Sequence, residues 1–361
     1  MLIGIDASKT TSKTKTGIDN TAYQIILGLT KIDKANKYNL YTNKPLDSDL
    51  LKNPNFSEKL IPFPRFWNRF RLPLALLKDK PDVFIELTNS IPTLAPKKTI
   101  VLIHDLAFKF FPEAYSKYEL MLQETAINIA MSKASAIVFT GQASLDDLIK
   151  FYGKPRAQIS VVPLAYDNKK FNRTSIVQSD KKERYHYFLS VGRIEKRKNT
   201  ANIIRAFELF KTQNSTNHKL ILVGKNGFGH KDAEEAISNS KFKDDIIRKG
   251  YLEENELPLL YKNADALVYP SLYEGFGLPA LEAMASGTPV ITSDIPTIKE
   301  TAKNGALYVN PKNPDSIAKA MERVIFDQTL RISLIKKGYE VAKEYSWKKT
   351  AEQFYKVIES I

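Results

Sequence analysis

A chain of 361 residues is too long for one ordinary core and suits two domains of about 150–200 residues each. Hydrophobic residues make up 43% and charged residues 26%, the balance of a soluble globular protein, and no apolar run approaches the roughly 18 residues that span a bilayer. The absence of cysteine excludes disulfides, thiol nucleophiles and cysteine-ligated metals, and fits a reducing cytoplasm. The net charge of +14 is spread evenly, with 22 basic against 15 acidic residues up to Ala165 and 32 against 25 beyond it. Such a field favours anionic nucleotides and anionic membrane surfaces. The lysines lie scattered among acids with no dedicated nucleic-acid motif, so nucleic acid is not an expected partner.

The start, Met1–Asp6, reads as a first strand and not as a signal peptide, since it lacks a basic leader and a long apolar stretch. Short apolar runs then alternate with helical patterns, which argues for parallel sheets joined by crossover helices. The first half gives strands at Leu2–Asp6, Tyr38–Thr42, Lys59–Ile61, Val83–Ile85, Ile100–Ile103, Ala136–Thr140 and Ile159–Val162. Helical patterns cover Asp19–Lys31, Tyr115–Lys133 and Ser144–Tyr152, the last with Ser144 as its cap. The segment Arg65–Pro73 mixes bases and aromatics and suits a membrane interface or an acceptor. Its spacing favours a helix that buries Phe66, Phe70 and Leu74. Asp47-Ser48-Asp49 has the form of a metal-binding Asp-x-Asp, but follows Pro45 in a polar stretch and reads as a surface turn.

A polar, lysine-rich stretch at 167–184 is the expected linker between a first domain, 1–166, and a second, 185–345. The second domain repeats the alternation, with strands at Tyr187–Val191, Leu220–Val223, Asp245–Arg248, Ala266–Tyr269, Pro289–Thr292 and Ala306–Val309. Its helices include Thr200–Lys211, Glu256–Lys262 and Pro279–Ala285. From Asp315 the chain is helical almost to its end, with a break at Ser346-Trp347 before a last helix. Two open parallel sheets of this kind bind ligands outside the carboxyl ends of their strands, and the cleft between them is the default active site.

The segment Glu274-Gly275-Phe276-Gly277-Leu278-Pro279 crosses a strand-to-helix junction, and Glu282 follows one turn into the helix. Pro279 suits the first helical position, the glycines let backbone approach a ligand, and the helix start favours an anion. N–H groups for phosphate and carboxylates for hydroxyls together suit a polyhydroxylated, phosphate-bearing molecule. Gly192-Arg193-Ile194-Glu195-Lys196-Arg197-Lys198-Asn199 follows the first strand of the second domain, where Arg193 and Lys198 can neutralise a diphosphate; a solvated charge cluster is the alternative. Gly224 opens a glycine-bearing loop whose spacing is not that of a nicotinamide site, and Gly250-Tyr251-Leu252 can offer backbone groups to a base. In the first domain, His104 ends a buried strand and can reach a sugar hydroxyl or developing charge, or serve as a structural residue. Asp105 is a partner there or a cap of the next segment, and Gly17 is a close-approach glycine or an ordinary turn.

Together these segments resemble glycosyltransferase family 4 over essentially the whole chain. The resemblance is strongest in Gly192-Arg193, Lys198-Asn199, Gly250-Tyr251, Tyr269–Pro279 and Leu281–Val290, with mannosyltransferase-like features in Thr16-Gly17-Ile18 and His104–Glu113. It implies the GT-B architecture, two Rossmann-like doubly wound domains facing each other across a cleft, and a retaining transfer of a hexose from a nucleotide-diphosphate sugar. On that basis Glu274 would meet the donor sugar, Glu282 the ribose, and Arg193 and Lys198 the diphosphate. His104 would lie near the reacting sugar. Gly17, Gly192, Gly224, Tyr251, Leu252, Gly275, Phe276, Gly277 and Leu278 would complete the donor site, with Gly17 and Asp105 on the acceptor side. The resemblance implies no metal and no cofactor beyond the nucleotide-sugar co-substrate. It prefers GDP-mannose, a glycan or lipid-linked acceptor, a cytoplasmic enzyme peripheral at the inner membrane face, and a final helix, 346–361, that returns to the first domain. A nucleotide-sugar epimerase, a phosphorylase and a non-catalytic nucleotide-sugar-binding subunit are the rival readings. One departure is Ala165, where relatives usually carry glycine.

Overall fold

The computed structural model describes residues 1–12, 16–62, 67–89, 91–92, 94–172, 185–250, 252 and 256–361. It divides the chain into two compact units, Met1–Leu164 with Trp347–Ile361, and Ala165–Ser346.

The first unit runs β1 (Leu2–Asp6), α1 (Gly17–Ile32), β2 (Lys37–Thr42), β3 (Phe56–Leu60), α2 (Trp67–Asp79), β4 (Val83–Glu86), β5 (Thr99–Ile103), α3 (Ala107–Phe110), α4 (Lys117–Lys133), β6 (Ala136–Phe139), α5 (Gln142–Tyr152) and β7 (Gln158–Val161). Its seven strands are parallel in the order β3-β2-β1-β4-β5-β6-β7. Strands covered on both faces must be apolar along their length, which is why the central β5 and β6 read as continuous runs, whereas the outer β3 and β7 are more polar and more exposed. Helix α1 opens with a reciprocal capping box between Thr16 and Asp19 and packs Ile25, Ile26 and Leu29 into the core.

Two helix expectations need correction. Ser144 is not a cap, because α5 starts earlier, after Gly141, and the Ser144 hydroxyl instead points to the His104 carbonyl. Helix α2 forms, but it exposes Phe70 at 62% and Leu74 at 59%. It buries Trp67, Leu72 and Leu76 against Tyr41 and Phe84, with Leu72 and Leu76 one turn apart on the face toward the sheet. Phe66 lies outside the described residues. Asp47 caps a short turn through Asp49 N–H, and Asp49 pairs with Lys52, so the Asp-x-Asp pattern is a surface turn as expected.

The second unit runs β8 (Tyr187–Val191), α6 (Thr200–Asn214), β9 (Lys219–Val223), α7 (His230–Asn239), β10 (Ile246–Gly250), α8 (Glu256–Asn263), β11 (Ala266–Tyr269), α9 (Leu278–Ala285), β12 (Val290–Ser293), α10 (Pro296–Ala302), β13 (Leu307–Val309), α11 (Pro314–Phe326) and α12 (Gln328–Lys343). Its six parallel strands take the order β10-β9-β8-β11-β12-β13. Helices α7 and α10 have no counterpart in the sequence reading, because His230–Asn239 is mostly polar and α10 is only two turns long. Pro279 takes the second position of α9, not the first. The last helix, α13 (Trp347–Glu359), belongs to the first unit and buries Phe354, Val357 and Ile358 in its core. Gly28 of α1 accommodates it: a Cβ there would stand 2.5 Å from the Ala351 Cβ.

Candidate functional site

In the second unit β8 and β11 are neighbours, yet the chain leaves them in opposite directions, toward β9 on one side and β12 on the other. Such a reversal opens a crevice at the carboxyl ends of the two strands. Residues 192–199 follow β8 and residues 270–277 follow β11, so the sequence-predicted segments border that point.

The turn after β8 is held by the loop after β9. Gly192 N–H donates to the Val223 carbonyl at 2.9 Å, Ile194 N–H to Lys225 at 2.9 Å, Lys196 N–H to Phe228 at 2.9 Å, and Gly227 N–H returns to Ile194 at 2.8 Å. The two loops approach so closely that only glycine fits at 224. Its φ is +143°, and a Cβ would lie 1.9 Å from the Gly192 carbonyl oxygen. Asn199 then adopts a left-handed conformation and donates from Nδ2 to the carbonyls of Pro270 at 2.9 Å and Pro311 at 2.6 Å. That tie fixes the β8 turn against the β11 turn before α6 begins.

The fixed turns bring four charged side chains and a phenol together. Lys198 Nζ lies 2.5 Å from Glu274 Oε1 and donates to the Tyr269 hydroxyl at 3.0 Å. The Tyr269 hydroxyl donates to the same carboxylate oxygen at 2.5 Å. Arg197 reaches Glu274 Oε2 at 3.4 Å and pairs with Glu195 Oε1 at 2.9 Å. Glu274 is 5% exposed. Burial works to raise its carboxyl, but the charges of Lys198 and Arg197 outweigh it and hold the group below the usual carboxylate range. Burial lowers the Lys198 ammonium, and Glu274 opposes that shift. The product is an ionised, hydrogen-bonded pair at the crevice, next to a small depression lined by Gly192, Arg193, Lys198, Val223 and Tyr269. A cation so placed can take a phosphate oxygen, while the carboxylate can accept hydrogen bonds from hydroxyls.

Glu282 sits apart from this cluster. Its Oε2 accepts from the buried Tyr261 hydroxyl at 3.0 Å. Burial pushes its carboxyl up to about 7; the Tyr261 hydrogen bond opposes this and the charge of Asp167 adds to it.

The remaining expected residues divide. Arg193 is beside the site, but its side chain is 68% exposed and lies 4.0 Å from Glu195, so it does not join the Glu274 cluster. The Phe276 side chain is buried and packs edge-on against Tyr345 at 5.9 Å, while its carbonyl accepts from the Thr301 hydroxyl at 2.7 Å. Gly277 caps α9 at φ +95°, and Gly275 and Leu278 flank it, half-buried. Leu252 is half-buried, while Tyr251 lies outside the described residues. Arg197, Glu195, Tyr269 and Tyr261 were missed as site residues. Arg197 was hidden inside the run Lys196-Arg197-Lys198, where sequence offers three cations and no choice among them.

In the first unit, Gly17, His104 and Asp105 all follow strands at the carboxyl edge of the sheet. Gly17 starts α1 with open space where a Cβ would be, so local packing does not require glycine. His104 Nε2 lies 3.0 Å from the Leu87 carbonyl, and burial lowers its pKa, against the effects of that bond and of Asp105. A neutral ring donating from Nε2 leaves Nδ1 as an acceptor. Asp105 Oδ1 accepts from Ala107 N–H at 3.0 Å in the turn ahead of α3, but the cap position that the sequence offered it belongs to Leu106.

Residues 171–341 match the family Glycosyl transferases group 1. The chain is 27% identical over 282 residues to the O-antigen chain mannosyltransferase B of Escherichia coli, covering 77% of this chain and 74% of that one. It is 31% identical over 237 residues to the O-antigen chain mannosyltransferase RfbU of Salmonella typhimurium, covering 65% of this chain and 63% of that protein, a little under two thirds of its length. Among solved structures, sucrose-phosphate synthase from Thermosynechococcus elongatus superposes with a TM-score of 0.79 over 100% of this chain and 98% of that one, at 19% identity. That likeness establishes the fold, two Rossmann-like units of the GT-B type.

Proposed function

We propose that this chain is a glycosyltransferase, as the group 1 match over residues 171–341 supports, and that it moves a hexose from a nucleotide-diphosphate sugar to a glycan or lipid-linked hydroxyl with retention of configuration. The observation that carries the reading is the Lys198–Glu274 pair, 2.5 Å apart at the reversal point between β8 and β11. Mannose is the preferred sugar, supported by the two mannosyltransferase relatives, and GDP the preferred nucleotide.

Lys198 receives the diphosphate, with the exposed Arg193 closing on it and backbone N–H groups at the glycine junctions completing the cradle. Glu274 accepts hydrogen bonds from the sugar hydroxyls, and Arg197 keeps it ionised and oriented. Glu282 takes the ribose hydroxyls, with Tyr261 setting its position. In transfer the bond from C1 to the diphosphate oxygen breaks as the acceptor oxygen bonds to C1 from the same face. The acceptor proton passes to a donor phosphate oxygen. The charge left on the diphosphate is met by Lys198, a cationic task that makes no demand for a metal. The first unit takes the acceptor, with Gly17, His104 and Asp105 at its carboxyl sheet edge. No helix among the described residues is long and apolar enough to cross a membrane, and the enzyme is proposed to work in the cytoplasm at an anionic inner membrane face.

The test is incubation of the purified protein with GDP-, UDP- and ADP-sugars, with and without acceptor glycans. Consumption of one donor only when acceptor is present, with the anomeric configuration preserved in the product, supports transfer. Isomerisation of donor without acceptor would indicate an epimerase, and no consumption at all would indicate a binding subunit.

A further inference from the structure

The amino edge of the second sheet, opposite the site above, carries a cluster that the transfer reaction does not use. His186 immediately precedes β8, His218 precedes β9 and Asp265 precedes β11. These three strands are adjacent, and the register pairs Tyr187 with Lys219 and Phe188 with Ala266. Parallel pairing therefore brings together three residues that are far apart in sequence. His186 Nδ1 stands 3.1 Å from Asp265 Oδ2, and His218 Nε2 stands 3.5 Å from the same oxygen. One ligand atom from each residue falls within 4.8 Å of the others. A tetrahedral ion with bonds of about 2.0–2.1 Å holds its ligands roughly 3.3 Å apart, close to both of these separations.

The surroundings fit a cation better than a simple ion pair. His218 is 8% exposed, and neither of its ring nitrogens has a hydrogen-bond partner among the described residues. The nearby cations are already engaged. Arg331 lies 3.6 Å from the other oxygen of Asp265 and donates to its carbonyl at 3.0 Å. Lys211 pairs with Asp245 at 2.8 Å while donating to the His218 carbonyl. Tyr187 N–H donates to Asp265 Oδ2 at 3.1 Å, so the carboxylate is oriented from the backbone as well.

We propose that His186, His218 and Asp265 form a site for a late first-row divalent cation such as Zn²⁺, with water in the fourth position. The cation pins the amino ends of β8, β9 and β11. It touches no residue of the Glu274 cluster, and its test does not involve sugar transfer, so either reading can fail alone.

The test titrates untagged, chelator-stripped full-length protein with Zn²⁺ by calorimetry and with Co²⁺ by visible absorption. One equivalent of Zn²⁺ should bind at micromolar Kd or tighter, and Co²⁺ should give the intense d–d bands of a four-coordinate site. His186→Ala, at an exposed position that the core does not need, should weaken Zn²⁺ binding at least tenfold with an unchanged far-UV spectrum. His218→Gln should do the same. Absence of binding, or equal binding by wild type and His186→Ala, would overturn the site.

Discussion

Lys198 Nζ and Glu274 Oε1 meet at 2.5 Å although 76 positions separate them in the chain. The meeting depends on the sheet order that sets β8 beside β11 and on Asn199, which ties the two following turns together. It also has a third member, Arg197, on the other carboxylate oxygen.

This geometry predicts strong coupling. Lys198→Met removes the nearest counter-charge from a buried carboxylate, leaving the 3.4 Å Arg197 contact as its charge partner beside the neutral Tyr269 hydroxyl, and should destabilise the protein by about 2–4 kcal/mol. Glu274→Gln alone leaves Lys198 without its counter-charge. The double variant should be more stable than the sum of the singles predicts by about 1–3 kcal/mol, read from denaturant midpoints. Strict additivity would mean that the pair is not ionised in the fold.

Glu282 should give the second unit a pH signature. Its folded pKa is raised to about 7, above the ordinary carboxyl value of 4.5, so folding favours the protonated form. Its contribution is therefore fully present below about pH 4.5 and is lost as pH rises through about 7. The size is on the order of 2 kcal/mol, since the side chain is partly accessible. Glu282→Gln should remove that component from a stability-versus-pH curve. Nucleotide binding should run the other way: it strengthens between pH 6 and pH 8 as the carboxylate forms, and loses this dependence in the same variant.

Gly224 tests the loop closure under the site. Alanine would put a Cβ 1.9 Å from the Gly192 carbonyl oxygen at a φ of +143°. Gly224→Ala should cost at least about 2 kcal/mol and weaken nucleotide binding with it, because the β8 turn must shift. Calorimetry and thermal melting report both effects.

Gly28 tests the seating of α13 on α1. Gly28→Ala brings two methyl groups to 2.5 Å and should destabilise by about 1–3 kcal/mol. Adding Ala351→Gly should restore most of the loss, measured by urea unfolding.

Much of this architecture was legible because parallel strands buried on both faces leave uninterrupted apolar runs. β1, β8 and β11 have the bounds expected from sequence. Helix faces were less legible. Around Trp67–Asp79 the pairs Phe70/Leu74 and Leu72/Leu76 share the same helical spacing, and only the sheet face at Tyr41 and Phe84 selects Leu72 and Leu76, with Trp67, for burial. At the site, Glu274 and Lys198 were legible from their junctions. The roles of Arg197 and Tyr269 were not, because which side chain of a basic run turns inward is decided by the short turn at 196–198. The His186, His218 and Asp265 cluster was invisible in sequence, since each residue is an ordinary polar residue before a strand until the sheet sets them side by side.

If the proposed donor site is right, the β8–β11 crevice binds a nucleotide-diphosphate sugar through Lys198 and Glu282. Calorimetric titration of wild type, Lys198→Ala and Glu282→Ala with GDP-mannose and its UDP and ADP counterparts tests it most directly. Wild type should bind one donor at micromolar affinity, weakened at least about 100-fold in Lys198→Ala and at least about tenfold in Glu282→Ala, with all three proteins folded. Equal affinity in wild type and Lys198→Ala would contradict it.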